Sequence, residues 1–134
     1  MEGASVDVIG PRAVSISRME ITQRAVVDGV FVAVNCGGRL WDALQKSDGK
    51  FELMLRQPIY EMDRMTVVEP AITLRLDPDL LAAYPEGYRH LAYLQTRLGL
   101  KVKDKLPGTR GPEIEALMAR GMRWLQGDDP TCLE

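Results

Sequence analysis

Two Asp-Gly pairs, Asp28-Gly29 and Asp48-Gly49, each divide runs rich in β-branched and apolar residues, and they constrain the fold more than any other feature of the chain. Asp and Gly tolerate the positive φ that both central positions of a type I′ turn require, so each pair marks a two-residue hairpin loop. Folding the chain about them sets Val26 opposite Phe31 and Leu44 opposite Leu53. The result is a meander of three long antiparallel strands from Ala13 to about Met65. Ser5 to Ile9 alternates ahead of the breaker Gly10-Pro11-Arg12, so a shorter strand precedes the meander and the sheet spans 5–65.

Within the meander the apolar phase changes from Val14 and Ile16 to Met19 and Ile21, which in a period-two strand predicts a bulge near Ser17 or Arg18. Reading across the hairpins gathers Met19, Ile21, Val32, Val34, Cys36, Leu40, Leu44, Leu53, Leu55 and Ile59 on one face. The other face takes Arg18, Glu20, Arg24, Asn35, Arg39, Trp41, Met54, Arg56 and Tyr60. The apolar face must be covered by helices or a partner, and Val34, Leu40, Leu53, Leu55 and Ile59 are its candidate substrate-binding residues. Strands this long bend, and Gly37-Gly38 is the expected place. Pro58 has no N–H to give to a ladder, so its strand is an edge at that point or is breaking away from its neighbour.

The rest reads as helical. Asp77-Pro78-Asp79 is a cap followed by a first-turn proline; Tyr88 to Leu98 carries an apolar stripe ending at Gly99; a third helix opens at Pro112 and keeps helical spacing through Leu125. The reading is therefore α+β: a curved antiparallel sheet followed by a helical extension over 77–126. It forms one domain over 1–127, with a mobile tail over 128–134.

At 134 residues one core is the default. Seventeen basic against nineteen acidic residues give 17 − 19 = −2, a balance that offers no attraction to nucleic acid or an anionic membrane. The start, Met1-Glu2-Gly3-Ala4-Ser5-Val6, lacks the flank and apolar run of a signal peptide, and no stretch has the roughly 20 apolar residues of a membrane span. Cys36 and Cys132 are far apart and do not form a disulfide framework. A cytoplasmic, reducing setting is expected.

The run Arg56-Gln57-Pro58-Ile59-Tyr60-Glu61-Met62-Asp63-Arg64-Met65, with Ser47-Asp48-Gly49-Lys50-Phe51 before it, resembles the last strand of SnoaL-like domains of the nuclear transport factor 2-like superfamily. Tyr84-Pro85-Glu86-Gly87-Tyr88-Arg89-His90-Leu91-Ala92-Tyr93-Leu94-Gln95, Leu106-Pro107-Gly108-Thr109-Arg110-Gly111 and Trp124-Leu125-Gln126-Gly127 resemble a C-terminal extension found in one branch of that family. The resemblance covers roughly Val6 to Gly127. It implies a cone-shaped fold whose N-terminal helices and first strand are absent from this chain. In intact form it implies a cofactor-independent isomerase, cyclase or dehydratase of secondary metabolism, acting by acid–base chemistry on an apolar oxygenated polyketide-, steroid- or terpenoid-like metabolite. The rival reading is a non-catalytic ligand-binding module, a truncated paralogue that forms a homodimer through its sheet.

One histidine and two distant cysteines give no zinc spacing, and no glycine-rich loop has the form of a phosphate cradle. Neither metal nor cofactor is expected. His90 suits proton transfer near neutral pH, against the bland reading of a packing histidine. Tyr60 and Asp63 belong to a polar cluster with Glu61 and Arg64 that could polarise a carbonyl, against the bland reading of a strand-end anchor. His90, Tyr60 and Asp63 are the candidate catalytic residues.

Overall fold

The computed structural model describes residues 4–134; Met1-Glu2-Gly3, part of the start read for a signal peptide, lies outside them. The strands are β1 (Ser5–Ile9), β2 (Arg12–Val27), β3 (Val30–Ser47) and β4 (Lys50–Val67), followed by helices α1 (Pro78–Ala82), α2 (Arg89–Arg97) and α3 (Pro112–Leu125) and a short 3-10 turn, Pro130–Leu133. The strands pair antiparallel in the order β1-β2-β3-β4 as a curled half-barrel. This is the α+β arrangement expected from the sequence. Both Asp-Gly pairs make their turns with positive φ at each central residue, 50° and 80° at Asp28 and Gly29, 51° and 78° at Asp48 and Gly49. Val26 pairs with Phe31 and Leu44 with Leu53, as the hairpins require.

The bulge expected near Ser17 or Arg18 is not there. Pairing of β2 with β3 runs without a break from Arg12–Gln45 to Val27–Val30. The phase change has another cause: the core changes sides of the sheet. Ile21, Ala25 and Val27 pack with Val32, Val34 and Cys36 beneath Leu91, Ala92, Tyr93 and Leu94 of α2. Val14 and Ile16 pack with Trp41, Ala43 and Ile59 against Ile114, Leu117 and Trp124 of α3. Because residues paired across strands share a face and alternate along it, these two clusters lie on opposite faces at opposite ends of the sheet. We call the α2 side the first face and the α3 side the second.

The irregularities fall in β4 instead. The register with β3 shifts between Gly37 and Gly38 and again between Ala43 and Leu44, leaving Glu61 and Met54 as the extra residues. The glycine pair therefore does mark a distortion. Each shift turns β4 over, which splits the single apolar face read from the sequence. Leu53, paired with Leu44, is on the first face, whereas Leu55 and Ile59, paired with Ala43 and Arg39, are on the second beside Trp41. Arg56 and Tyr60 move the other way, onto the first face with Asp42 and Gly38.

Helix α3 seats on the second face because Gly121 admits the indole of Trp41: a Cβ there would lie 3.3 Å from Trp41 Cζ2. Trp124 is fully buried and its Nε1–H donates to the Leu44 carbonyl at 3.1 Å. The Arg12 guanidinium lies 3.9 Å above the Trp124 ring and donates to the Trp124 and Asp128 carbonyls, a stacked contact worth about 1 kcal/mol. The tail expected to be mobile is thus tied down. Asp129 accepts from the Thr131 N–H, and Cys132 and Leu133 pack on the α3 cluster. Pro58 lies on the outer strand β4, as expected, and two residues on the Pro107 carbonyl accepts from the Tyr60 N–H at 2.9 Å.

Candidate functional site

The first four N–H groups of a helix have no intrahelical acceptor, so a helix end buried against a sheet needs one from elsewhere. At α2 the cap position is Tyr88, whose side chain makes no capping bond. Asp63 of β4 supplies the acceptor. Its Oδ2 accepts from the Leu91 N–H at 2.8 Å and its Oδ1 lies 2.8 Å from His90 Nδ1. The Asp63 side chain is wholly buried and that of His90 is 22% exposed. An ionised carboxylate only accepts, so this geometry places the proton on Nδ1 and the lone pair on the outward Nε2 when the ring is neutral. The sequence offered His90 no orienting partner; the fold brings one from 27 residues away.

Two further groups share this face. Cys36 pairs with Asp63 across the strands, is fully buried and donates from Sγ to the Gly87 carbonyl at 3.6 Å. Burial, then the neighbouring Asp63 charge, pushes its thiol up to about 12, which removes it as a nucleophile at neutral pH. Tyr60 stands with its ring 5.2 Å from that of Tyr88, and burial followed by Cys36 raises its phenol above the usual value. It lines a cavity of about 280 Å³ with Gly87, Gly108, Arg110 and Glu113. Thus Asp63 and His90 touch, while Tyr60 faces a separate small cavity on the same side.

Cys36 yields a direct prediction. With a thiol-specific chromogenic reagent at pH 8, the native protein should release about one equivalent, from the partly exposed Cys132, and the second only on denaturation. Fast reaction of both thiols would contradict the burial. The same shift fixes a pH dependence. An acid raised on folding holds its proton longer in the native state, so its contribution is complete below the ordinary 9.0 and is lost as pH climbs toward about 12. Stability should therefore fall above pH 9, and less steeply in Cys36→Ala.

A larger opening lies on the other side. Beyond the part covered by α3, the second face carries a groove of about 540 Å³ lined by Arg18, Glu20, Asn35, Gly37, Met62 and Arg64, with Glu61 at its edge. The register sets these in rows: Arg18 beside Arg39, Glu20 beside Gly37 and Met62, and Thr22 beside Asn35 and Arg64. Asn35 Nδ2 donates to Thr22 Oγ1 at 2.9 Å. Glu61, the extra residue of the bulge, meets Arg39 at 3.3 Å from Nε, an ion pair whose angle falls short of a hydrogen bond. Among the described residues no group of three or more His, Cys, Asp or Glu is placed to hold a metal ion.

The candidate substrate-binding residues do not come together. Val34 is in the α2 cluster, Leu55 and Ile59 are in the α3 cluster, and Leu40 and Leu53 lie on the first face, Leu53 50% exposed. None lines the groove. The groove's own residues were legible individually as a mixed polar surface. The signal that unites those on β2 and β3 is the register set by Asp28-Gly29, which places 18, 20 and 22 beside 39, 37 and 35; Met62 and Arg64 of β4 join them only through the shifted β3–β4 register.

Among known proteins the chain is 37% identical over 136 residues to Pea pathogenicity protein 2 of Fusarium vanettenii, an alignment covering 94% of this chain and 58% of that protein. It is 35% identical to a PEP2-like protein of the same fungus, with the same coverage, and 32% identical to an uncharacterized protein of Emericella nidulans, covering 95% of this chain and 60% of that one. Its homologues are thus Pea pathogenicity protein 2 and PEP2-like fungal proteins. The chain spans about three fifths of their length. No protein-family model matches it.

Proposed function

We propose that the chain is the sheet-bearing part of a SnoaL-like small-molecule domain, whose intact form performs isomerase-, cyclase- or dehydratase-type acid–base chemistry on an oxygenated metabolite without a cofactor. One observation carries the reading. The second face is closed by α3 at one end and left at the other as a groove of about 540 Å³ holding a carboxylate, guanidinium groups and an amide. Glu20 is the candidate proton acceptor there; Arg64 and Asn35 are donors suited to a carbonyl or enolate oxygen. The likeness to longer relatives is consistent with further chain walling this groove. The His90–Asp63 pair lies on the opposite face and serves α2, so the reading does not use it. The cytoplasmic setting belongs to the same proposal and draws on the two free thiols.

The test is proton exchange. Incubated in D2O with polyketide-, steroid- and terpenoid-like ketones, the protein should catalyse deuteration α to the carbonyl, followed by mass spectrometry, and Glu20→Gln should lower that rate by about 100-fold. Exchange at the buffer rate throughout, or an unaffected Glu20→Gln, counts against the reading.

A second reading, a homodimer through the sheet without catalysis, is favoured by the uncovered end of the first face. Val6, Val8 and Leu53 are each half or more exposed there, and Phe51 nearly so. Sedimentation velocity decides it: a monomer at 100-fold dilution and at high concentration alike removes the dimer.

A further inference from the structure

The two adjacent glycines of β3 have different reasons to be glycine. Gly38 has no room for a side chain, since a Cβ would run into the Ile59 carbonyl. Gly37 has room. A Cβ there would meet only Met62 Cγ, at 4.0 Å, and Gly37 is not among the positive-φ glycines. Neither packing nor dihedral angle requires glycine at 37, yet glycine inside a strand costs about 0.5–1 kcal/mol relative to alanine. A strand glycine marks a bulge, a tight bend or a place where something approaches the backbone closely; the bulge beside this pair is met by Gly38, against which the Ile59 carbonyl packs, and close approach is the role left for Gly37.

What surrounds Gly37 indicates what approaches. Glu20 and Met62 pair with it across the neighbouring strands, and Asn35 and Arg39 are its same-face neighbours along β3. Arg18 and Arg64 stand on the diagonals. The result is a bare patch of flat peptide backbone ringed by side chains, with the thioether of Met62 on one side and guanidinium groups on two others. Arg39 is engaged by Glu61 on one side of the patch, and on the other the Arg64 guanidinium stands beside Asn35, a cation placed to meet one negative charge on a ligand. Guanidinium forks match carboxylate and enolate oxygens, and the backbone floor and Met62 suit a ring lying flat.

We infer that Gly37 is the floor of the ligand site, kept bare so that a flat, singly anionic oxygenated ring can lie against the β3 backbone with its anionic oxygen toward Arg64. This rests on the proposed reading of the groove as a ligand site. It adds the charge and shape of the ligand and the residue that admits it.

Salicylate is the probe, a flat ring with one carboxylate and one hydroxyl, and salicylamide is its neutral counterpart. In an amide NMR titration of the whole chain, salicylate should shift the resonances of Glu20, Asn35, Gly37, Gly38 and Arg64, and salicylamide should bind at least fivefold more weakly. Gly37→Val fills the hollow with a good strand former and should keep the native melting temperature while weakening salicylate binding at least tenfold. Gly37→Ala should weaken it by a smaller factor, and it reports on the floor by itself if the valine variant does not fold. Shifts in these residues that survive unchanged in the Gly37 variants overturn the floor while leaving the groove a ligand site. Equal binding of salicylamide overturns the charge preference. No shift in the groove with either compound overturns both the inference and the reading beneath it.

Discussion

Alanine at position 38 is expected to abolish the native sheet, whereas alanine at position 37 is expected to leave it standing. The two sites are one residue apart on the same strand, and their difference is geometric. A Cβ on Gly38 would collide with the Ile59 carbonyl oxygen, and it would also lie 3.0 Å from that carbonyl carbon and 3.2 Å from the Glu61 N. These are backbone atoms of the paired strand, so no rotamer change relieves them. The only relief is to move β3 away from β4 at the bulge, which breaks ladder hydrogen bonds worth about 0.5–1.5 kcal/mol each and uncovers the neighbouring Ile59. Against a total stability of about 5–15 kcal/mol, a loss of about 4 kcal/mol or more leaves little native protein. Urea unfolding followed by circular dichroism should show Gly38→Ala unfolded or displaced by that amount, and Gly37→Ala within about 1 kcal/mol of the parent. A Gly38→Ala protein losing less than about 1 kcal/mol would show that the bulge relaxes freely.

That contrast also explains which parts of the fold could be read from the sequence. Asp28-Gly29 and Asp48-Gly49 act through their own dihedral angles, so they fix local register whatever surrounds them, and the β2–β3 ladder follows for sixteen residue pairs. The helix signals at Asp77, Pro78, Gly99 and Pro112 are equally local. What depends on contacts between distant segments was not legible. Glu61 and Met54 carry no mark of being extra residues, because a bulge is specified jointly by both strands and by the loop at Pro107 that bonds Tyr60. Missing them put Leu55 and Ile59 on the wrong face. The phase change at Ser17 was visible but ambiguous: an inserted residue and a core that crosses the sheet produce the same pattern in one strand. Only the position of α3, more than 90 residues later, separates them.

The candidate site divides along the same line. His90, Asp63 and Tyr60 were recognisable by chemical type, and two of them meet, but the face of Tyr60 depends on the extra residue Met54 and the strand partner of Asp63 on both bulges. The groove was hidden for the same reason, since Met62 and Arg64 join Glu20, Gly37 and Asn35 only once the shifted register is known. A glycine whose freedom is unused leaves no trace in composition. Gly37 and Gly38 look identical until the space above each is measured.

Asp63→Ala should cost about 3 kcal/mol, the second large effect expected of a single substitution. The carboxylate is wholly buried, and its two oxygens are shared between the Leu91 N–H at the start of α2 and the His90 ring. Removing it strands a buried backbone donor, which costs about 1–3 kcal/mol, and deletes the cap of a helix that has no capping side chain of its own, a loss of about 1 kcal/mol. His90→Ala removes only the partly exposed partner and leaves the Leu91 bond intact, so about 1 kcal/mol is expected. Asp63→Asn lies between, because its amide oxygen can still accept from Leu91 while its NH2 turns His90 to the tautomer protonated on Nε2. The order of urea midpoints should therefore be parent, His90→Ala, Asp63→Asn, Asp63→Ala, and the two asparagine and histidine variants should keep amide protection in α2 that Asp63→Ala loses. Equal costs for Asp63→Ala and His90→Ala would mean that the carboxylate exists to orient the imidazole rather than to hold the helix, and would return His90 to the candidates for proton transfer.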